Sequence, residues 1–310
     1  MNKSIDGFYS GKYFLATFVI SALYLVVSFF LIGYKTDQLV VILIFNTLFY
    51  ASVTSRKFII GFSIFIIYWI IYDYMKAFPN YRYNTVHIES LYNAEKYVFG
   101  FLYDGLKVTP NEFFRQNTNS FLDVISGIFY LCWIPVPLAF ATYLFFANKA
   151  LFFRFSLTFL LVNLVGFIVY YLYPAAPPWY VQQHGFNFIA DTHGNAAGLL
   201  AFDDYFHVDI FKSLYKKGSN VFAAMPSLHS SYPLIVAYYS RKTTLPTVIK
   251  FLLLLVVGGI WFAAVYSSHH YVLDVVAGIT CAITGILLFN YLLRFAWMRN
   301  SLQKLVAFAT

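Results

Sequence analysis

The feature that most constrains this chain is its division into long apolar runs, several about twenty residues long with few or no internal charges, the length a helix needs to cross a bilayer core. A backbone in hydrocarbon must satisfy its own polar groups, so runs of this kind fold as helices. Composition agrees. Of 310 residues, 60% are hydrophobic and 11% charged, against roughly 25% charged in soluble domains. The reading is an all-α, polytopic membrane helix bundle. Eight spans are expected, near 13–33, 38–54, 57–75, 121–147, 151–173, 225–240, 246–267 and 269–293. The first run, from Tyr13 to Ile32, reads as a span and not as a cleavable signal, because no small-residue cleavage pattern follows it.

Basic residues set the expected orientation. With the N-terminus inside, the inner connections hold Lys3, Lys12, Arg56, Lys57, Lys149, Arg154, Arg241, Lys242, Arg294, Arg299 and Lys304. Lys35 and the His269 region are all that the short outer connections hold. This asymmetry predicts cytoplasmic termini. The long loops 76–120 and 174–224 then fall on the periplasmic or lumenal side. The net charge of +8 suits anionic lipid headgroups. It does not suggest nucleic acid, since no basic stripe interleaves with a soluble fold. Cys132 and Cys281 lie in apolar runs and read as small buried hydrophobes. Segment 76–120 is of mixed character and could hold an interfacial helix. Tyr173 to Trp179, with three prolines, must be a rigid turn that places Trp179 and Tyr180 at interface depth.

Two polar islands interrupt the apolar pattern. One is Pro226-Ser227-Leu228-His229; the other is His269-His270-Tyr271 with Asp274. Ionisable residues at membrane depth are functional candidates, and the orientation puts both islands on the outer face. His270 and Asp274, spaced i and i+4, share a helix face. Asp274 can therefore fix the tautomer of His270 and leave its other nitrogen free to attack. Pro226 suits a first helical turn, where Ser227 and free N–H groups make an anion site. His229 can serve as acid and then as base. A lone histidine at a span end is usually a satisfied interfacial residue; two islands on one face weigh against that. For His269 the bland reading, a flanking residue, stays ahead. The set requires no metal and no cofactor. Asp191, His193, Asp203, Asp204 and His207 match no metal spacing and read as solvated loop. Lys212, Lys216 and Lys217 could attract an anionic headgroup or be an ordinary basic loop.

At these residues the chain resembles the type 2 phosphatidic acid phosphatase superfamily, whose second motif is Pro-Ser-x-His and whose third ends in His-x-x-x-Asp. Within it the chain is most similar to the inositol phosphorylceramide synthase branch, through Pro174 to Tyr180, Gly194 to Leu199, Ala224 to Ser230, and His269 to Asp274 with Gly278. Over 70–120 the likeness is thin (Glu89, Phe99-Gly100). The resemblance implies a six-helix core with two additional N-terminal spans, divided as 1–56 and 57–310. It implies that His270 is the nucleophile, Asp274 its orienting partner and His229 the acid/base. Ser227, His269, Pro226, Trp179 and Asn195 stand as candidates for holding substrate or phosphate.

The superfamily's Ser-Arg pair before the third motif is replaced by Ala263-Ala264, and its first-motif cations by Pro-Pro-Trp. Fewer fixed cations suit a singly charged phosphodiester better than a monoester. The expected activity is transfer of inositol phosphate from a phosphatidylinositol-type donor to a ceramide-type acceptor through a phosphohistidine. A lipid phosphate phosphatase or phosphodiesterase is the alternative, and a transporter is a more distant one. The residues that read the headgroup, and the oligomeric state, are left open.

Overall fold

The computed structural model describes residues 10–216 and 220–310; Lys3 and Lys217 lie outside the described residues. Among these, six helices are long and apolar enough to cross a membrane: 11–32, 53–77, 120–147, 149–172, 247–266 and 272–292. Three expectations shift. The predicted span 38–54 is a 16-residue apolar helix, Thr36–Ala51. The predicted span 225–240 is a 13-residue helix, Leu228–Ser240. Both are shorter than the about 20 residues a spanning helix needs. The predicted span 269–293 begins at Val272, so His269 and His270 precede it.

The chain forms two compact units. Among the described residues the first comprises 10–78 and 297–310 and holds α1 (Gly11–Ile32), α2 (Thr36–Ala51) and α3 (Val53–Tyr74). Its few polar groups pair internally, as Thr17 Oγ1 does with Tyr50 Oη at 2.8 Å. Asp73 meets Lys76 at 2.6 Å. The helix Val53–Tyr74 belongs to this unit.

The second unit, 79–296, carries the polar islands. Segment 76–120 folds into α4 (Glu89–Val98), a hairpin of β1 (Phe101–Tyr103) and β2 (Leu106–Val108), and α5 (Pro110–Gln116). The hairpin turns at Asp104-Gly105, both in the left-handed region, as tight turns of this kind require. The predicted span 121–147 is broken into α6 (Ser120–Leu131) and α7 (Pro135–Ala147). Pro135 has no N–H to donate to the carbonyl four residues back, and Trp133 stands in the break. Then follow α8 (Lys149–Leu172), α9 (Pro178–His184), α10 (Leu200–Phe206), α11 (Ile210–Lys216), α12 (Leu228–Ser240), α13 (Thr247–Tyr266) and α14 (Val272–Leu292); the last helix, α15 (Ala296–Ala309), belongs from Trp297 onward to the first unit.

The short α12 is the hub of this unit: it packs against α7, α8, α13 and α14. Ten of its thirteen residues are buried, so helices and not lipid surround it. Small residues let the backbones approach. A Cβ on Gly278 of α14 would collide with the Ser227 carbonyl, and one on Gly166 of α8 with Leu228. Trp179 and Tyr180, expected at interface depth, are buried against Ile88, Ala176 and Phe222. Asp203, expected to be solvated, is 2% exposed. It accepts from the amides of Phe211 and Lys212 at 3.1 and 2.9 Å and so caps α11.

Candidate active site

The site is built on residues 267–271, the non-helical link between α13 and α14. Ser268 is in the left-handed region at φ 60°, which costs a non-glycine residue about 1–2 kcal/mol. The surroundings hold the link residue by residue. Gly198 N donates to Ser267 O at 3.1 Å and Trp179 N to Ser268 O at 3.0 Å. Gln182 Nε2 donates to Ser268 Oγ at 3.0 Å. Asn111 Nδ2 donates to His270 O at 3.0 Å and to Val265 O at 2.8 Å. A Cβ on Gly198 would press into Ser267, so glycine there permits the contact.

The two islands meet through the backbone. Ser227 N donates to Asp274 O at 2.9 Å, and Ser231 Oγ to Gly278 O at 2.7 Å. Ser227 is the N-cap of α12, so Pro226 lies before the helix and not in its first turn. This registry sets His229 Nδ1 3.0 Å from His270 Nε2. A hydrogen bond at that distance needs a proton on one nitrogen and a lone pair on the other. Burial pushes the His270 imidazole, in the link between the spans, down to about 4. It is therefore neutral near pH 7.

Asp274 sits behind. Its Oδ2 is 3.6 Å from His270 Nδ1, outside hydrogen-bond range, and accepts from Tyr271 N at 2.9 Å. The expected pairing on one continuous helix face is thus made across the start of α14, because His270 precedes the helix. His270 Nδ1 and Asp274 Oδ1 are both buried with no hydrogen-bond partner in the protein. Catalytic hydrogen bonds are often long before substrate binds and tighten afterwards.

Ser227, His229, His270 and Asp274 are thus brought together. The other candidates lie around them. Ser227 Oγ accepts from Ser230 Oγ at 3.0 Å. His269 Nε2 donates to Ala196 O at 2.9 Å, and its ring stacks on Tyr215 at 4.3 Å. Asn195 Oδ1 accepts from Ala197 N at 2.7 Å, bracing the loop that receives His269. Trp179 serves the link through its backbone.

Sequence reasoning missed three aromatic residues and one acid. The Trp133 ring lies 4.4 Å from that of His229, nearly perpendicular. Tyr130 lies against both His229 and His269, and its hydroxyl accepts from Tyr215 at 3.2 Å. Glu95 is fully buried and accepts from the amides of Val272 and Leu273, each at 3.0 Å, capping α14. Burial raises its carboxyl from 4.5 to about 7, against the lowering effect of those two amides, and Asp274 adds to the rise. One signal for Glu95 was available: it falls one turn after Leu91, on the buried face of α4.

Among the described residues no group of three or more histidine, cysteine or acidic side chains is placed to hold a metal ion. The chemistry this arrangement can perform is nucleophilic attack by an imidazole, with a second imidazole moving the proton.

The family model described as the PAP2 superfamily matches residues 106–288, which contain both islands. A phosphoinositol dihydroceramide synthase of Bacteroides thetaiotaomicron is 42% identical, over 95% of this chain and 97% of that protein. An inositol phosphorylceramide synthase of Candida albicans is 28% identical over 88% of this chain. The inositol phosphorylceramide synthase catalytic subunit of Saccharomyces cerevisiae is 28% identical over 79%. The chain spans little more than half the length of these two fungal relatives, 56% and 59%. No solved structure matches. The apolar helices and these relatives make the chain an integral, multi-pass membrane protein. The family model over more than half of the chain and the 42%-identical relative make it a member of the PAP2 superfamily.

Proposed function

We propose that this protein is a membrane-lipid headgroup phosphotransferase that moves inositol phosphate from a phosphatidylinositol-type donor to a ceramide-type hydroxyl. The observation that carries the mechanism is the 3.0 Å contact between His229 Nδ1 and His270 Nε2. The 42%-identical phosphoinositol dihydroceramide synthase supports the choice of substrates.

The steps follow from which nitrogen faces which. A phosphodiester entering between the rings brings a negative charge, which favours the imidazolium form of His229. His270 Nε2 attacks phosphorus, and the bond from phosphorus to the diacylglycerol oxygen breaks. His229 Nδ1 gives its proton to that oxygen, so diacylglycerol leaves as a neutral alcohol. Asp274, closing on His270 Nδ1, offsets the positive charge that builds on the ring. The acceptor hydroxyl then gives its proton to His229 as its oxygen attacks phosphorus. The nitrogen–phosphorus bond breaks, and both histidines return to their starting states.

The asymmetry of basic residues supports cytoplasmic termini and a site on the periplasmic or lumenal side. Incubating the purified protein with phosphatidylinositol and a short-chain ceramide, and following both by mass spectrometry, tests the assignment. Inositol phosphorylceramide and diacylglycerol should appear in equal amounts. Diacylglycerol with free inositol phosphate, and no ceramide product, would make the protein a hydrolase.

A further inference from the structure

The histidine pair opens to the outside at His229. His270 is 5% exposed, whereas His229 is partly exposed. The acceptor oxygen must come in at the same place, because it has to reach His229, which takes its proton, and His229 Nδ1 is 3.0 Å from His270 Nε2. Aromatic rings border this approach. Trp133, in the break between α6 and α7, sets its ring 4.4 Å from that of His229. It also stacks on Tyr232 at 5.9 Å. His229 and Tyr232 are three residues apart on α12 and share a face, so the indole lies across both. Tyr232 is buried and packs on Phe159 at 4.6 Å, which backs the indole from behind. Tyr130, fully buried, lies 5.1 Å from His229. The hydroxyls of Tyr130 and Tyr232 are turned to Tyr215 and Asn163. Ala263 and Ala264 pack with Tyr130 in one cluster and bring only methyl groups. A held water needs about two to four polar partners, and this lining offers it little. Of the three rings only Trp133 is partly exposed, so it forms the rim of the opening.

Resting on the transferase reading, we infer that Trp133 makes a lipid alcohol, and not water, the acceptor at the phosphohistidine. The carbon chain beside the acceptor hydroxyl packs on the indole and closes the opening over His229. Water brings no such chain. A hydrophobic contact of this kind discriminates by about 10–200-fold, and excluding water protects a reactive intermediate from hydrolysis. Without the indole, water takes the acceptor's place. Its oxygen attacks phosphorus, His229 accepts one proton, the bond from His270 Nε2 to phosphorus breaks, and inositol phosphate is released.

The test reads the partition between two products. Full-length protein in detergent is given phosphatidylinositol and a short-chain ceramide in water enriched in oxygen-18. Inositol phosphorylceramide and free inositol phosphate are then quantified by mass spectrometry. Trp133→Ala should raise the ratio of free inositol phosphate to ceramide product about tenfold or more, with one oxygen-18 in each molecule released. Trp133→Phe keeps an aromatic face and should hold the ratio near the native one. The ratio counts only molecules that turn over, so a loss of folded protein does not move it. An unchanged ratio in Trp133→Ala, whatever the total rate, would overturn the inference and leave the transferase reading standing. Native protein that makes only inositol phosphate with ceramide present would overturn the transferase reading, and the role of Trp133 with it. Should Trp133→Ala yield no folded protein, Trp133→Leu takes its place: a raised ratio supports the inference and an unchanged one overturns it.

Discussion

Gly278 of α14 lies so close to Ser227 that a Cβ would overlap the Ser227 carbonyl oxygen. One turn earlier on the same helix, Asp274 O accepts from Ser227 N at 2.9 Å. The start of the helix bearing His229 is therefore docked on the helix bearing Asp274, and this docking sets the distance between the two histidines. Gly278→Ala should push the islands apart, lowering kcat by at least 100-fold. The overpacking itself should cost about 1–3 kcal/mol. Activity and thermal unfolding, measured on one preparation, check both parts.

His229 is proposed to protonate the departing alkoxide, a role worth about 10²–10⁴ in rate. His229→Ala should lose that much with phosphatidylinositol. A donor whose leaving group is p-nitrophenol needs no proton to depart, so formation of the covalent intermediate should be far less impaired with it. The burst of nitrophenolate reports this step. An equal loss with both donors would remove His229 from the first step.

Asp274→Asn keeps the shape of the side chain but removes the charge that offsets a positive His270 ring. By the logic of a catalytic triad, the expected loss in kcat is on the order of 10³ or more. KM for the donor should change little, because Asp274 is proposed to touch His270 and not the substrate.

Glu95 predicts opposed pH trends for activity and stability. Its ionised form accepts from both Val272 and Leu273, so activity should fall as pH drops through about 7. For stability the sign reverses. The folded carboxyl lies above its ordinary 4.5, so the folded state binds more protons than the unfolded one between about 4.5 and 7. The stability contributed is full below that window and is lost as pH rises through it. Glu95→Gln should flatten both profiles over this range. Paired measurements of kcat and unfolding midpoint from pH 5 to 8 test this.

The apolar runs and the spacing of the islands were legible in the sequence because they depend on local residue type and period. His229, His270 and Asp274 could be named for the same reason: ionisable residues in apolar surroundings stand out. Asn111 and Trp133 could not, and for Glu95 the one signal, its place a turn after Leu91 on α4, did not show what it pairs with. Glu95 and Val272 are 177 residues apart in the chain, as Asn111 and His270 are 159 apart, and no local pattern encodes such pairings. Span lengths failed for α12 because a helix walled in by four others needs no lipid-spanning length. The pairing of His270 and Asp274 was read as a helix face, whereas the helix begins at Val272, where Tyr271 N and Asp274 Oδ2 meet.

The central claim is that inositol phosphate passes through His270, and the stereochemical course at phosphorus tests it most directly. A donor made chiral at phosphorus by sulfur substitution is turned over with ceramide, and the configuration of the product is determined. Two successive in-line displacements, first by His270 Nε2 and then by the acceptor hydroxyl, predict net retention. Net inversion would mean a single direct displacement and would contradict the phosphohistidine.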